Sequence, residues 1–437
     1  MSDPRPPQLE LQIDSVAFGG KGVARLNGKV FFVPNSVPGD SVKAVVVEDS
    51  GRYATAKIES WTERSSLRQT SNCQYSDLCG GCDWQEIPYK TQLEWKRSFI
   101  ESAFARISKI ATPININMHG SSLEHSYRNR ILLKARVSTT GNLTFGYFQR
   151  SSRDFVSVSK CDIATNRINQ FLTELIKKRL PKLPNQEVKF RFEIQDLPLY
   201  QETEGHLALS VYDPDSKSLR AEDIIQYFSS FPQVKHCIHV HNQSDAMALN
   251  FDSQNGLNYL TLSGIFQQVN VAQNHVLRDY LNKLILPLNP KRILDIFCGS
   301  GNLSLQFAHK GIFVKGVEFS KKAITMAKLN LEKNNIEASE YHSFDAEKFL
   351  LREIKERQSY DVIIADPPRE GMLKCLDSIV KINAKHIVYV SCDPTTLARD
   401  IAHLLKSNYE IVSVAGFDFF PQTYHIETVV CLRLKNA

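Results

Sequence analysis

From Arg292 to the C-terminus, short runs of β-branched and aliphatic residues alternate with longer segments whose apolar positions recur every three or four residues. The runs predict strands at Arg292–Phe297, Phe313–Phe319, Tyr341–Phe344, Val362–Ala365, His386–Ser391, Tyr409–Phe417 and Thr428–Leu434. The periodic segments predict helices at Leu303–Lys310, Lys321–Asn334, Ala346–Gln358, Leu373–Ile382 and Thr395–Lys406. This alternation predicts an α/β fold with a doubly wound sheet of seven strands, parallel except for the last. Ligands of such sheets bind beyond the carboxyl ends of the strands.

The front of the chain follows another rhythm. Leu9 to Trp61 reads as short strands punctuated by Gly19-Gly20, Asn27-Gly28, Pro38-Gly39-Asp40 and Ser50-Gly51, which fits a five-stranded barrel of the OB kind. Thr62 to Asn255 is mixed α+β, with an amphipathic helix over Tyr89–Arg106 and β-rich stretches at Arg130–Val137 and Val188–Ile194. The expected divisions are 1–62, 63–255 and 256–437.

Composition narrows the class. The 437 residues are 42% hydrophobic and 23% charged, which excludes a mainly disordered, collagen-like or coiled-coil protein. Met1-Ser2-Asp3-Pro4 does not resemble a signal peptide, and no apolar run reaches the roughly 18 residues of a membrane span, so a cytoplasmic protein is expected. The net charge of +6 permits an acidic partner. Within Ser121–Lys160, Arg128, Arg130, Lys134, Arg136, Arg150, Arg153 and Lys160 are opposed only by Glu124 and Asp154, with Tyr127, Phe145, Tyr147 and Phe148 interleaved. Such a surface suits single-stranded nucleic acid, and two half-buried strands with solvated basic faces fit it as well. Nothing in the sequence calls for an obligate protein partner.

Nine cysteines in a reducing compartment favour metal or catalytic roles over disulfides. Cys73, Cys79 and Cys82 form C-x5-C-x2-C, with Cys161 far downstream. At the predicted strand ends lie the glycine loop Asp295-Ile296-Phe297-Cys298-Gly299-Ser300-Gly301-Asn302, then Glu318, Asp345, Asp366-Pro367-Pro368-Arg369 and Ser391-Cys392-Asp393-Pro394. A glycine loop followed by an acid after the second strand points to a nucleoside-containing cofactor. Cys392, just before a helix start, is placed where the helix dipole favours thiolate, and Cys298 is the rival nucleophile.

These motifs, with Phe266-Gln267-Gln268-Val269-Asn270 and Phe420-Pro421-Gln422-Thr423-Tyr424-His425-Ile426-Glu427-Thr428-Val429, resemble the RNA (uracil-5-)-methyltransferase family along the whole chain. The front resembles the TRAM barrel of that family's ribosomal-RNA branch. Cys73, Cys79, Cys82 and Cys161 match that branch's four ligands of a 4Fe–4S cluster. The resemblance implies that Gln268, Phe297, Asn302, Glu318, Asp345 and Asp366 contact S-adenosylmethionine or shape its junction with the base. It also implies that Cys392 is the nucleophile and Glu427 the general base. Gln267 stands where an aromatic is frequent, which removes a stacking ring there. The implied substrate is a uridine of RNA, 23S ribosomal RNA first. The alternatives are the T-loop uridine of transfer RNA and a non-catalytic RNA-binding assembly factor. For the cysteines, a zinc site is the alternative.

Carbon 5 of uracil is too poor a nucleophile to take a methyl group unaided, so a thiolate must first add to carbon 6, and a base must later remove the carbon-5 proton. A uridine in folded RNA must also leave its stack to meet a cysteine.

Overall fold

The computed structural model describes residues 8–110, 114–150, 152–197, 205–212, 219–240, 249–262 and 265–435. Met1-Ser2-Asp3-Pro4 lies outside them. Gln8–Val16, Gly22–Leu26, Lys29–Val33, Ser41–Asp49 and Tyr53–Glu63 form the expected closed five-stranded barrel. Its inward positions, among them Leu11, Ile13, Phe31, Val33, Val42 and Ala44, make a core of their own.

The helix Tyr89–Ala103 follows and runs on as a π-helical turn, Phe104–Ser108. The central six-stranded sheet has the order Val234–Val240, His206–Tyr212, Val188–Leu197, Arg130–Val137, Leu143–Phe148, Phe155–Ser157. One face of that sheet packs Leu133, Phe145, Phe192 and Leu209 against the helices Asn166–Leu175 and Ala221–Ser229.

The C-terminal sheet has eight strands, not the seven expected. Its order is Glu340–Ser343, Phe313–Glu318, Arg292–Ile296, Val362–Ala365, His386–Ser391, Glu427–Leu434, Tyr409–Phe417, Ile116–His119. The extra strand comes from the central part of the chain and pairs parallel to Tyr409–Phe417, with Val414 opposite Ile116. Four residues carry too little periodicity to announce a strand, and their partner lies some 300 residues away. The expected division at 255/256 falls in the turn of a hairpin, Leu249–Gln254 with Leu257–Leu262, whose second strand is bonded by Asn330 of the helix Lys321–Lys333 and by Asn334 just past its end.

Alternate residues of the long sheet face two cores. Leu294, Ile296, Ile363, Ile387 and Tyr389 meet the helices Ala346–Lys355, Leu376–Ile382 and Pro394–Lys406. Ile293, Ile364, Val388 and Val390 meet Val271–Ile285, Leu305–His309 and Lys321–Lys333. The helix Val271–Ile285, capped by Asn270, was not predicted. No helix among the described residues is long and apolar enough to cross a membrane.

Candidate functional site

The carboxyl ends of these strands open into a cleft of about 1600 Å³. Gln268, Phe297, Asn302, Glu318, Asp345, Asp366, Cys392 and Glu427 all line it, so the structure brings together every residue singled out for cofactor or catalysis. Barrel residues Gly19, Gly20 and Lys21 reach the same rim.

At one end the strand Arg292–Ile296 leads into a tight loop. Phe297 has φ +64° and Gly301 φ +86°, and a Cβ on Gly301 would sit 2.9 Å from the Tyr341 hydroxyl, so only glycine fits there. Asp295 is buried, neither of its carboxylate oxygens makes a well-formed hydrogen bond among the described residues, and burial pushes it up to about 8 against the pull of the Ser304 hydroxyl. The Gln268 side-chain oxygen is likewise buried and unpartnered. Orphaned buried polar atoms of this kind call for a ligand. Asn302 is already engaged, exchanging amide bonds with Asn274 and accepting from Arg278 at 2.6 Å. Asp345 caps the helix Ala346–Lys355 through the Lys348 N–H, and Glu318 accepts from the Ser320 N–H. Sequence reasoning missed Phe319, whose ring is 77% exposed on the cleft wall beside Glu318. An apolar ring next to an acid at a strand end was the available signal.

At the other end Ser391 pairs with Thr428 across antiparallel strands, and Cys392 and Glu427 are the next residues beyond that pair, near enough for the Glu427 charge to act on the Cys392 thiol. Glu427 opens an interior strand and is buried. Burial, reinforced by Asp366, raises it well above the usual carboxylate range, and Arg369 opposes this. Asp366 is pushed up to about 7 by burial. Cys392 lies at the start of the helix Pro394–Lys406 as expected, yet its thiol is not favoured as thiolate. Asp393 takes up the helix N-terminus by accepting from the Thr395 and Thr396 N–H groups. Burial, then Glu427, push Cys392 up to about 12 against the pull of Arg369. Cys298 is buried at the opposite end against Gly316 and Tyr341, on the side of the glycine loop.

The segment between Phe417 and Glu427 is clamped by the helix Tyr89–Ala103. Lys96 and Asp418, both fully buried, pair at 2.7 Å, and Lys96 also donates to the Phe420 carbonyl. The Gln92 amide donates to the Gln422 side-chain oxygen, and its own oxygen accepts from the Gln422 N–H. The N–H groups of Asp83 and Trp84, directly after Cys82, donate to the Gln422 carbonyl. Gln92 and Lys96 were missed, although two polar residues four apart on an otherwise apolar helix face were legible as a sign of buried partners.

Cys73, Cys79, Cys82 and Cys161 converge on a second, smaller cavity of about 260 Å³ with Tyr75, Ile131, Tyr147 and Val158. Burial raises all four thiols, and Arg128 and Lys160 stand at the wall. Among the described residues no three His, Cys, Asp or Glu side chains are grouped so as to hold a single metal ion. In the basic segment, Tyr127 and Phe145 belong to the core, not to a surface. Arg128 donates to the Arg130 carbonyl and Arg130 to the Ile265 carbonyl, so both are engaged within the fold.

Residues 234–435 match the model of the tRNA (uracil-5-)-methyltransferase family. An uncharacterized RNA methyltransferase of Thermosynechococcus vestitus is 32% identical, the alignment covering 97% of each chain. A 23S rRNA (uracil(1939)-C(5))-methyltransferase of Haemophilus parainfluenzae is 28% identical over 97% of this chain and 95% of that one. The crystal structure of a Pyrococcus abyssi tRNA (uracil-54, C5)-methyltransferase in complex with S-adenosyl-L-homocysteine superposes with a TM-score of 0.69 at 22% identity, covering 97% of this chain and 100% of that one. The chain belongs to the RNA (uracil-5-)-methyltransferase family and is an S-adenosylmethionine-dependent enzyme.

Proposed function

We propose that the enzyme methylates carbon 5 of a uridine in 23S ribosomal RNA through a covalent Cys392–carbon 6 adduct. The observation that carries this reading is that Cys392 and Glu427, the residues next to the Ser391–Thr428 pair, line one cleft with Gln268, Phe297, Asn302, Glu318, Asp345 and Asp366. The cofactor fits the other end. Orphaned Asp295 and Gln268 offer acceptors, Glu318 suits ribose hydroxyls, Asp345 an adenine edge, and exposed Phe319 an apolar cover. When bound, S-adenosylmethionine supplies the electrophilic methyl group.

Cys392 gives up its proton to water in the cleft as its sulfur bonds carbon 6, the carbon 5–carbon 6 electron pair moves into the uracil as an enolate, and carbon 5 takes the methyl group as the sulfur–methyl bond breaks to leave S-adenosylhomocysteine. Glu427 then accepts the carbon-5 proton, and the electrons released expel the Cys392 thiolate. Because burial keeps Glu427 protonated at rest, it must first be discharged, and Arg369 and the positive charge of the bound cofactor both push that way. Ribosomal RNA is favoured by the Haemophilus parainfluenzae relative, which matches over nearly the full length. The transfer-RNA names of the family model and the Pyrococcus abyssi structure support the second reading.

The test is trapping. Cys392→Ala should abolish methyl transfer and leave no RNA–protein adduct, whereas Glu427→Gln should accumulate a denaturant-stable adduct carrying the labelled methyl group. An adduct that survives without Cys392 overturns the assignment. Mapping 5-methyluridine in both RNAs from cells lacking the protein separates the substrates.

The residues 63–255 carry the second element of the proposal, a 4Fe–4S cluster in the cysteine cavity. Its support is the convergence of four thiols on one small, largely apolar space. Four cysteine ligands would leave no iron open, so its role would be to order the Cys73–Cys82 loop, whose next residues, Asp83 and Trp84, bond the Gln422 carbonyl. Anaerobically purified protein should absorb broadly near 400 nm, about where thiolate-to-iron charge transfer falls. Cys79→Ala or Cys161→Ala should bleach it, and stoichiometric zinc instead of iron overturns it. All nine cysteines are unpaired, which suits a cytoplasmic enzyme.

A further inference from the structure

The central sheet has a second face. Lys134, Arg191 and Tyr212 lie directly across from one another on three adjacent strands. Arg136 lies two residues from Lys134 on the same face, and Phe148 and Phe155 form a facing pair on the two strands at that edge. The cations stand over the rings, Lys134 at 5.5 Å from Phe148, Arg136 at 4.6 Å from Phe155 and Arg191 at 5.1 Å from Tyr212. Arg191 is exposed and Phe148 is 39% exposed, whereas the opposite face is core.

Two features point to an anionic ligand. Among the described residues no carboxylate pairs with Lys134, Arg136 or Arg191. Glu193, on the same face, lies 4.0 Å from Arg130. Holding Lys134 directly opposite Arg191 costs stability, and a fold that keeps like charges on one rung needs something to neutralise them. The proximity is felt, since burial and Arg191 together lower the Lys134 pKa. The row is also continuous with the catalytic cleft, because Tyr212 and Gln195 line that cleft, and Gln195 donates to Gln267 at 2.9 Å.

We propose that this face binds the single-stranded RNA flanking the target uridine, Lys134, Arg136 and Arg191 contacting successive phosphates while Phe148, Phe155 and Tyr212 offer rings for the bases. The proposal rests on the reading of the cleft as an RNA uridine site and names where the rest of that RNA runs. Cation and ring alternating along an open sheet is the combination that single strands use, phosphates for grip and stacking for bases.

The experiment uses the full chain and a uridine-containing stem–loop, either blunt or with a single-stranded tail of about ten nucleotides, the scale of such sites. Wild type should bind the tailed RNA about tenfold more tightly. The double variant Lys134→Gln/Arg191→Gln should lose that preference and flatten the salt dependence by about 0.7 for each phosphate contact removed. Phe148→Ala should lower the preference with the slope unchanged, and cofactor affinity should stay at the wild-type value in both variants. No tail preference in the wild type, or a wild-type salt slope in the double variant, overturns the proposal, including when a protein proves to occupy the face. If no RNA accepts a labelled methyl group from the wild-type enzyme, the uridine reading itself fails. If methylation proceeds and the variants bind the tailed RNA normally, only the face is wrong.

Discussion

The two cavities of this chain hold acids neutral by the same means for different ends. In the large cleft, burial raises Asp295, Asp366 and Glu427, so a set of carboxyl groups is pushed toward its neutral form around an open space. In the small one, burial raises four thiols among apolar side chains. An incoming positive charge would discharge either set, a cationic cofactor the first and the cluster proposed above the second. Size sets the difference. The cleft can exchange its ligand at every turnover, while a snug apolar cavity suits a resident group. The Cys82–Trp84 stretch joins them, since it leaves the cysteine cavity and immediately bonds the Gln422 carbonyl, five residues before Glu427.

Breaking that joint should have the largest effect. Lys96→Met leaves Asp418 buried without its cation and should cost about 3–5 kcal/mol in denaturant unfolding, the scale for half of a buried pair. Lys96→Met with Asp418→Leu, which removes both charges, should recover much of that stability. A single variant as stable as wild type would show that the clamp does not tie the two cavities.

Within the cleft, Glu318→Ala should weaken S-adenosylmethionine binding by about 1–3 kcal/mol in calorimetry, the scale for losing hydrogen bonds to a charged group. The iron content should not change, because Glu318 lines the cleft and not the cysteine cavity. Unchanged affinity would move the cofactor away from this wall.

The smallest effect concerns protons. Asp295 is raised to about 8 and Asp366 to about 7, so both hold protons in the resting enzyme near neutrality. A cation arriving beside them lowers both values and expels protons, so cofactor affinity should rise with pH between about 6 and 8, by at most about tenfold per unit for each proton released. Calorimetry in buffers of different ionisation enthalpy should show this release with S-adenosylmethionine, less of it with S-adenosylhomocysteine, which lacks the sulfonium charge, and less again in Asp295→Asn. Equal release with both ligands would detach the protons from the sulfonium.

Local chemistry was legible in the sequence wherever one short stretch contains both the element and its consequence. Strand runs ending in Asp295, Glu318 and Asp366, and Pro394 after Asp393, place side chains at a sheet's rim without reference to the rest of the molecule, and the structure gathers them in one cleft. The turn pairs between Leu9 and Trp61 likewise announced the barrel.

What only the tertiary structure decided is what distant segments do to one another. The strand Ile116–His119 exists because Tyr409–Phe417 offers it an edge, and Lys96 is buried because Asp418 is there to meet it. The same holds for charge. A helix start beside Cys392 predicts a thiolate, yet Asp393 caps the helix and burial beside Glu427 holds the thiol protonated. Periodicity and turn chemistry are properties of neighbours in the chain. Desolvation and Coulomb interaction are properties of neighbours in space, and the fold alone selects those.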